Sequence, residues 1–151
     1  MLRKSAFVMV SAVLAISSIG PLALGQGIPY RISDREVEKL MQRLKKDSDK
    51  FRKSLDSALD RSRLDGTNRE DDINAFVKDY DKGTATLHDR FKNHKSVASD
   101  VQAVLDRAAR IDQFMRRHQF RNARAERDWS TVRTDLDALA QAYNVTWGWG
   151  T

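Results

Sequence analysis

Apolar residues recur every three or four positions in four separate blocks of this chain. That periodicity restricts the fold to amphipathic helices packed through one face. The first block is Val37, Leu40, Met41, Leu44, Phe51, Leu55, Ala58 and Leu59. Ser33-Asp-Arg-Glu36 precedes it as a capping box, the Ser hydroxyl meeting the third amide and the Glu reaching back. The pattern runs to Leu64, and Asp65-Gly66 stops it, Gly being the usual left-handed cap. About thirty residues at 1.5 Å each predict a helix roughly 45 Å long.

Thr67-Asn-Arg-Glu70 repeats the capping pattern directly after that Gly. The second helix carries Ile73, Phe76, Val77, Tyr80, Thr84, Leu87 and Phe91 on one face, with Asp71 and Asp72 favourably placed in its first turn. Asn93-His-Lys-Ser96 reads as a turn with Ser96 as N-cap. The third helix presents Val97, Val101, Val104, Ala108, Ile111 and Met115, closing on Arg116 and Arg117. A turn within His118 to Ala123 leads to the fourth stripe: Ala125, Trp129, Val132, Leu136, Leu139 and Tyr143, ending near Asn144. Asp49/Lys53, Asp106/Arg110 and Asp112/Arg116 are spaced four apart as supporting ion pairs.

Four helices with short turns predict an all-α fold, an antiparallel up-down-up-down bundle over residues 33–144. Both termini then share one end, where Tyr30 and Ile32 meet the aromatic tail 145–151. The turns at 65–68 and 118–123 share the other.

Residues 1–25 read as a signal peptide. Arg3 and Lys4 give a positive start, Ala6 to Ile16 is apolar apart from Ser11, and Gly20-Pro21 breaks any helix. Ala23-Leu24-Gly25 supplies small residues for cleavage before Gln26. The apolar run is short of the ~20 residues that span a bilayer. The expectation is export to the periplasm or medium, with no membrane span left after cleavage. The rival is an anchor formed by an uncleaved N-terminal helix. Cleavage leaves 126 of the 151 residues, with residues 26–32 as an extended lead, and reduces 27 basic residues to 25 against 21 acidic ones.

The chain has no cysteine. That excludes disulfide scaffolds, thiolate metal sites, lipid attachment at a leading cysteine and cysteine nucleophiles. A di-iron bundle needs inward Glu residues and Glu-x-x-His pairs, whereas the four Glu residues here are 36, 38, 70 and 126, none with His three residues on. His88, His94 and His118 do not converge as zinc ligands must. Met41 and His88 could approach as a haem pair, but Met41 reads more simply as core filler and His88 as the edge of its stripe. No Gly-x-Ser-x-Gly turn or phosphate loop is present, and the Asp residues fall mainly on polar faces. No cofactor, no metal and no enzyme activity is expected.

The sharpest feature is Arg116, Arg117, Arg121, Arg124 and Arg127, opposed only by Glu126. Arg61, Arg63 and Arg69 belong to the same end. Two readings stand: an internal network neutralised by Asp65, Glu70, Asp71 and Asp72, or a patch for anions, since Arg forks suit phosphate and carboxylate. The aromatics lie in core stripes rather than among the Arg, so there is no strong nucleic-acid signature. Trp147 and Trp149 are candidates for docking a partner, with Trp147 clamping the core and Trp149 exposed. Gly83, mid-helix, faces the layer of Leu44, Ala108 and Val132, where either the helices approach closely or a pocket opens. Asn144-Val-Thr146 matches a glycosylation sequon, of consequence only in a eukaryotic secretory pathway.

Three runs carry a resemblance: Phe51-Arg-Lys-Ser-Leu-Asp-Ser-Ala-Leu-Asp60, Asp106-Arg-Ala-Ala-Arg-Ile-Asp112 and Trp129-Ser-Thr-Val-Arg-Thr-Asp-Leu136. From Ser33 to Trp147 the chain resembles uncharacterised exported helical proteins of bacteria. The resemblance implies export and an all-helical fold, and transfers no functional residue. The expectation is an exported, non-enzymatic interaction or envelope-associated module that binds an unknown protein partner. Its alternative is an anion-binding protein using the Arg-rich end. Oligomeric state is left open.

Overall fold

A computed structural model describes residues 32–96, 98–118 and 122–149. The signal segment, Tyr30, Val97 and Arg121 lie outside the described residues. Four helices follow in order: α1 Asp34–Leu59, α2 Asn68–Lys92, α3 Ala98–His118 and α4 Ala123–Ala142. No strand occurs among the described residues. The helices form a bundle around one core in which Val37, Leu44, Leu55, Ile73, Leu105, Ile111, Leu136 and Leu139 are fully buried. α1 lies closest along α4, and α2 along α3. The other two neighbouring pairs stand further apart, and a cleft of about 490 Å³ opens between α1 and α2.

The Ser33 capping box is present. The Glu36 amide donates to Ser33 Oγ, and the Ser33 amide donates to the Glu36 carboxylate at 2.8 Å. The second capping pattern behaves differently. Thr67 Oγ1 donates back to the Leu64 carbonyl, and Glu70 accepts the Gly66 amide at 2.7 Å. Both side chains serve the turn instead of closing a box on α2, whose N-cap Thr67 makes no side-chain cap bond.

α1 also ends five residues earlier than its apolar pattern predicts. Ser62 Oγ accepts the Leu64 amide at 3.0 Å, an offer that competes with helical pairing. Arg61 Nε donates to the Ser57 carbonyl, satisfying a group left open at the helix end. Gly66 then takes φ +68°, a conformation Gly adopts without penalty. At the start of α3, Ser96 makes no cap bond among the described residues. Ser96 Oγ shares a 2.9 Å hydrogen bond with Tyr143 Oη instead, tying the α2–α3 turn to the end of α4.

α2 and α4 close on non-glycine residues in the left-handed region, His94 and Asn144, each at φ +53°. Beyond each, an amide reaches back five residues: Lys95 to Arg90 at 2.7 Å and Val145 to Ala140 at 2.8 Å. These are Schellman closures, which glycine normally fills. His94 is exposed and bears the Cβ penalty. His94→Gly is therefore expected to stabilise the protein by roughly 0.5–1 kcal/mol. Urea unfolding checks this, and an unchanged or lower midpoint would refute it.

The nearest neighbour of Gly83 is Arg107 rather than Leu44, Ala108 or Val132. The glycine is half-buried towards α3, beneath Arg107. A Cβ at this position would lie 2.9 Å from Arg107 Cδ. The close approach is thus to a long side chain that reaches across to Asp79 at 3.3 Å.

Candidate functional site: the Arg-rich end

Phe51 of α1 packs its ring 4.8 Å from that of Trp129 of α4, so these stretches of α1 and α4 lie side by side. His118, last in α3, feels the charges of Arg69 and Arg117. The end of α3 therefore lies near the start of α2.

Asn122 caps α4 by accepting the amides of Arg124 at 3.1 Å and Ala125 at 3.3 Å. That fixes Arg124 and Arg127 in or just after the first helical turn, where the macrodipole disfavours cations. Arg116 and Arg117 close α3. All four side chains are exposed. Arg116 lies 3.2 Å from Asp112. Among the described residues, Arg117, Arg124 and Arg127 have no carboxylate within 4 Å, and neither have Arg61, Arg63 and Arg69. Along the body of the bundle the pattern reverses. Arg43, Arg52, Arg90, Arg107, Arg110 and Arg133 each hold an Asp within 4 Å. Among the described residues, the acids expected to neutralise the end form no ion pair within 4 Å. Asp65, Asp71 and Asp72 are exposed without an ion pair, and Glu70 is engaged by the Gly66 amide.

His118 reports the local field. Burial lowers its pKa first, and the nearby charges of Arg69 and Arg117 lower it further. Both causes favour the neutral imidazole, whose ring lies tilted 4.4 Å from that of Phe114. Of the other histidines, His88 faces Glu38 at 3.9 Å and His94 occupies a turn. Met41 is buried in the core. Among the described residues no group of three His, Asp or Glu side chains is placed to hold a metal ion, and no catalytic arrangement is found.

The aromatic tail corrects two expectations. It does not stay beside the start of α1 but folds back along α4. Trp149 is half-buried rather than exposed. Its Nε1 donates to Asp137 at 2.7 Å, the Arg133 guanidinium lies 4.7 Å above its ring, and Trp129 meets it edge-on at 6.1 Å. Residues 129, 133 and 137 are four apart, so one stripe of α4 receives the indole. Trp147 packs edge-on at 5.6 Å against Trp149 and is also half-buried. Both indoles are thus engaged by their own chain. Ile32 packs on the core.

The Asp residues are expected mainly on polar faces, but three are buried: Asp47, Asp112 and Asp135. Asp112 accepts Trp129 Nε1 at 2.9 Å and lies 3.4 Å from Arg133 as well as beside Arg116. Asp135 accepts Arg43 Nε at 2.6 Å across the α1–α4 seam, and Asp47 takes Lys50 Nζ at 2.7 Å. Their spacing was a usable signal. Asp112 falls four residues from Ala108 and three from Met115, and Asp135 three from Val132 and four from Leu139. Both positions belong to the stripes. Of the three ion pairs expected along single helices, Asp112/Arg116 forms. Asp49 instead meets Lys45 and Arg52, and Arg110 crosses to Asp79.

Burial raises the pKa of Asp135, with neighbouring Asp47 adding to the rise and Arg43 opposing it. Burial likewise raises Asp81. A raised folded pKa means the folded chain binds more protons than the unfolded one above the ordinary Asp value of 3.8. Stability from these groups is therefore greatest below that value and is lost as pH rises through the window. Asp135→Asn is expected to shrink the fall in urea midpoint between about pH 4 and pH 7. An unaltered fall would remove Asp135 as its source.

No protein-family model matches this chain, and neither curated proteins nor solved structures give a match.

Proposed function

We propose that this chain is an exported, non-enzymatic helical bundle that acts by binding, and that it binds an anionic surface through its Arg-rich end. One observation carries the reading. Arginines along the bundle body are matched by Asp partners, while Arg117, Arg124 and Arg127 stand exposed without a carboxylate within 4 Å among the described residues. Placing unpaired Arg at a helix start costs local stability, and a helix gains nothing from it. Forked donors in solution suit a ligand that brings its own oxygen atoms.

The finer architecture belongs to the same proposal. An up-down-up-down order is supported by contacts that run in opposite senses along neighbours: 38 with 88 and 48 with 80 between α1 and α2, and 43 with 135 and 51 with 129 between α1 and α4. Export rests on the basic, apolar and small-residue pattern of residues 1–25 and on the resemblance to exported helical proteins of bacteria. No described helix is long and apolar enough to cross a membrane. The packed state of Trp147 and Trp149 favours the Arg-rich end over the tail as the docking surface.

The test is retention on immobilised heparin as a model polyanion. Replacing Arg117, Arg124 and Arg127 together by Ala is expected to lower retention sharply and flatten its salt dependence, each cation at a charged surface contributing about 1 kcal/mol. The Arg35→Ala control, at the far end, should elute as wild type. Equal retention of the triple variant would end the proposal.

A further inference from the structure

The same end of the bundle carries unmatched charge of the other sign. The α1–α2 turn and the start of α2 hold Asp60, Asp65, Asp71 and Asp72, all exposed and none with a cation within 4 Å among the described residues. With Glu70, five acids stand there against Arg61, Arg63 and Arg69. The α3–α4 side holds Arg117, Arg124 and Arg127, also exposed and unmatched. Unmatched charges of both signs thus belong to this end of the bundle, with no ion pair within 4 Å between them among the described residues.

We infer that the anionic surface met by the Arg-rich turn is the Asp-rich turn of a second copy of this chain, so that two bundles join end to end. The inference rests on the anion-binding reading above and names its partner. A two-fold axis lying parallel to the two turns sets each Arg-rich turn against its partner's Asp-rich turn, and both contacts form at once. This is the self-complementary arrangement that a two-fold interface requires. Arg and carboxylate also match in their forked geometry. The end face is roughly two helix diameters across. It therefore offers about 400 Å² per copy and about 800 Å² in total, below the size of a standard interface. The dimer is accordingly weak, concentration-dependent and salt-sensitive.

Sedimentation equilibrium of the purified protein tests it. At low ionic strength the average mass should rise towards the dimer with concentration, and should return to the monomer at about 0.5 M salt. Arg124→Glu/Arg127→Glu makes both turns acidic, and Asp65→Lys/Asp72→Lys makes both basic. Each variant alone should be monomeric, and an equimolar mixture should restore the dimer, because the two changed end faces are complementary again. Far-UV circular dichroism checks that each variant keeps its helices. If either unfolds, Arg124→Gln/Arg127→Gln replaces it, and weaker association with unchanged helicity is then expected. A wild-type protein that stays monomeric at low salt, or folded variants whose mixture does not associate, overturns the inference. Heparin retention separates the two levels. A monomeric protein that still binds heparin through Arg117, Arg124 and Arg127 loses only the dimer, whereas one that does not loses both.

Discussion

Trp129→Ala is expected to be among the most destabilising single changes in this protein, costing about 5 kcal/mol. The indole is 4% exposed and lies 4.8 Å from Phe51. Removing it opens a cavity between α1 and α4, and losses of about 3–5 kcal/mol are usual for such truncations. A second term adds to the first. Trp129 Nε1 is the hydrogen-bond donor to Asp112 Oδ1, and Asp112 is nearly inaccessible to water. A buried acceptor that loses its donor carries its desolvation cost, about 1–3 kcal/mol. Trp129→Phe separates the terms, because it keeps most of the ring and removes the donor. It should cost about 1–3 kcal/mol. Urea unfolding measures both, and equal midpoints for the Phe variant and wild type would mean the hydrogen bond contributes nothing. Trp149 rests edge-on against Trp129, so loss of tail packing should also appear as a change in tryptophan fluorescence.

Asp112→Ala is expected to cost about 2–3 kcal/mol. Removing one partner of a fully buried ion pair usually costs about 3–5 kcal/mol, because the other charge is left buried. Here the cations escape that fate. The Arg116 and Arg133 side chains keep 48% and 37% of their exposure and can return to water. The indole N–H of Trp129 cannot, and it accounts for most of the loss. Asp112→Asn should cost less than Ala, since an amide oxygen still accepts the indole. A double-mutant cycle of Asp112→Ala with Trp129→Phe should give clear coupling, the second change costing little once the first is made. Additive losses would show that the two residues act through separate contacts.

The stripes of apolar residues made the four helices legible, because burial of one face is a local property repeated every three or four residues. The Ser33 cap was legible for the same reason, its partners being three residues apart. The apolar spacing predicts a longer α1 than forms. Leu64 continues the apolar spacing, but Ser62 takes the Leu64 amide, and a stripe does not register such local competition. The burial of three Asp residues was not legible for a related reason. Asp112 and Asp135 occupy stripe positions, yet a carboxylate becomes acceptable there only when a distant group meets it. Trp129 is 17 residues from Asp112, and Arg43 is 92 residues from Asp135.

The Arg-rich end was legible as composition and undecided as function. Five Arg within twelve residues, beside an Asp-rich turn at the same end, are equally consistent with neutralisation and with exposure. The decision depends on distances of a few ångströms between turns about fifty residues apart. The path of the tail was likewise undecided, since Trp149 carries no periodic partner in sequence and finds Trp129, Arg133 and Asp137 only where α4 presents them on one stripe.

By itself, then, the sequence determined that residues 33–144 form amphipathic helices, where most of their turns fall, and that thiolate chemistry and Glu-x-x-His metal sites are absent. These follow from periodicity, from spacings of three or four residues and from residue types. Only the tertiary structure decided which charges meet. Opposite charges lose most of their attraction in water beyond about 10 Å. An Arg four residues from an Asp can therefore leave it for a partner on another helix, and an Arg surrounded by acids in sequence can remain without one.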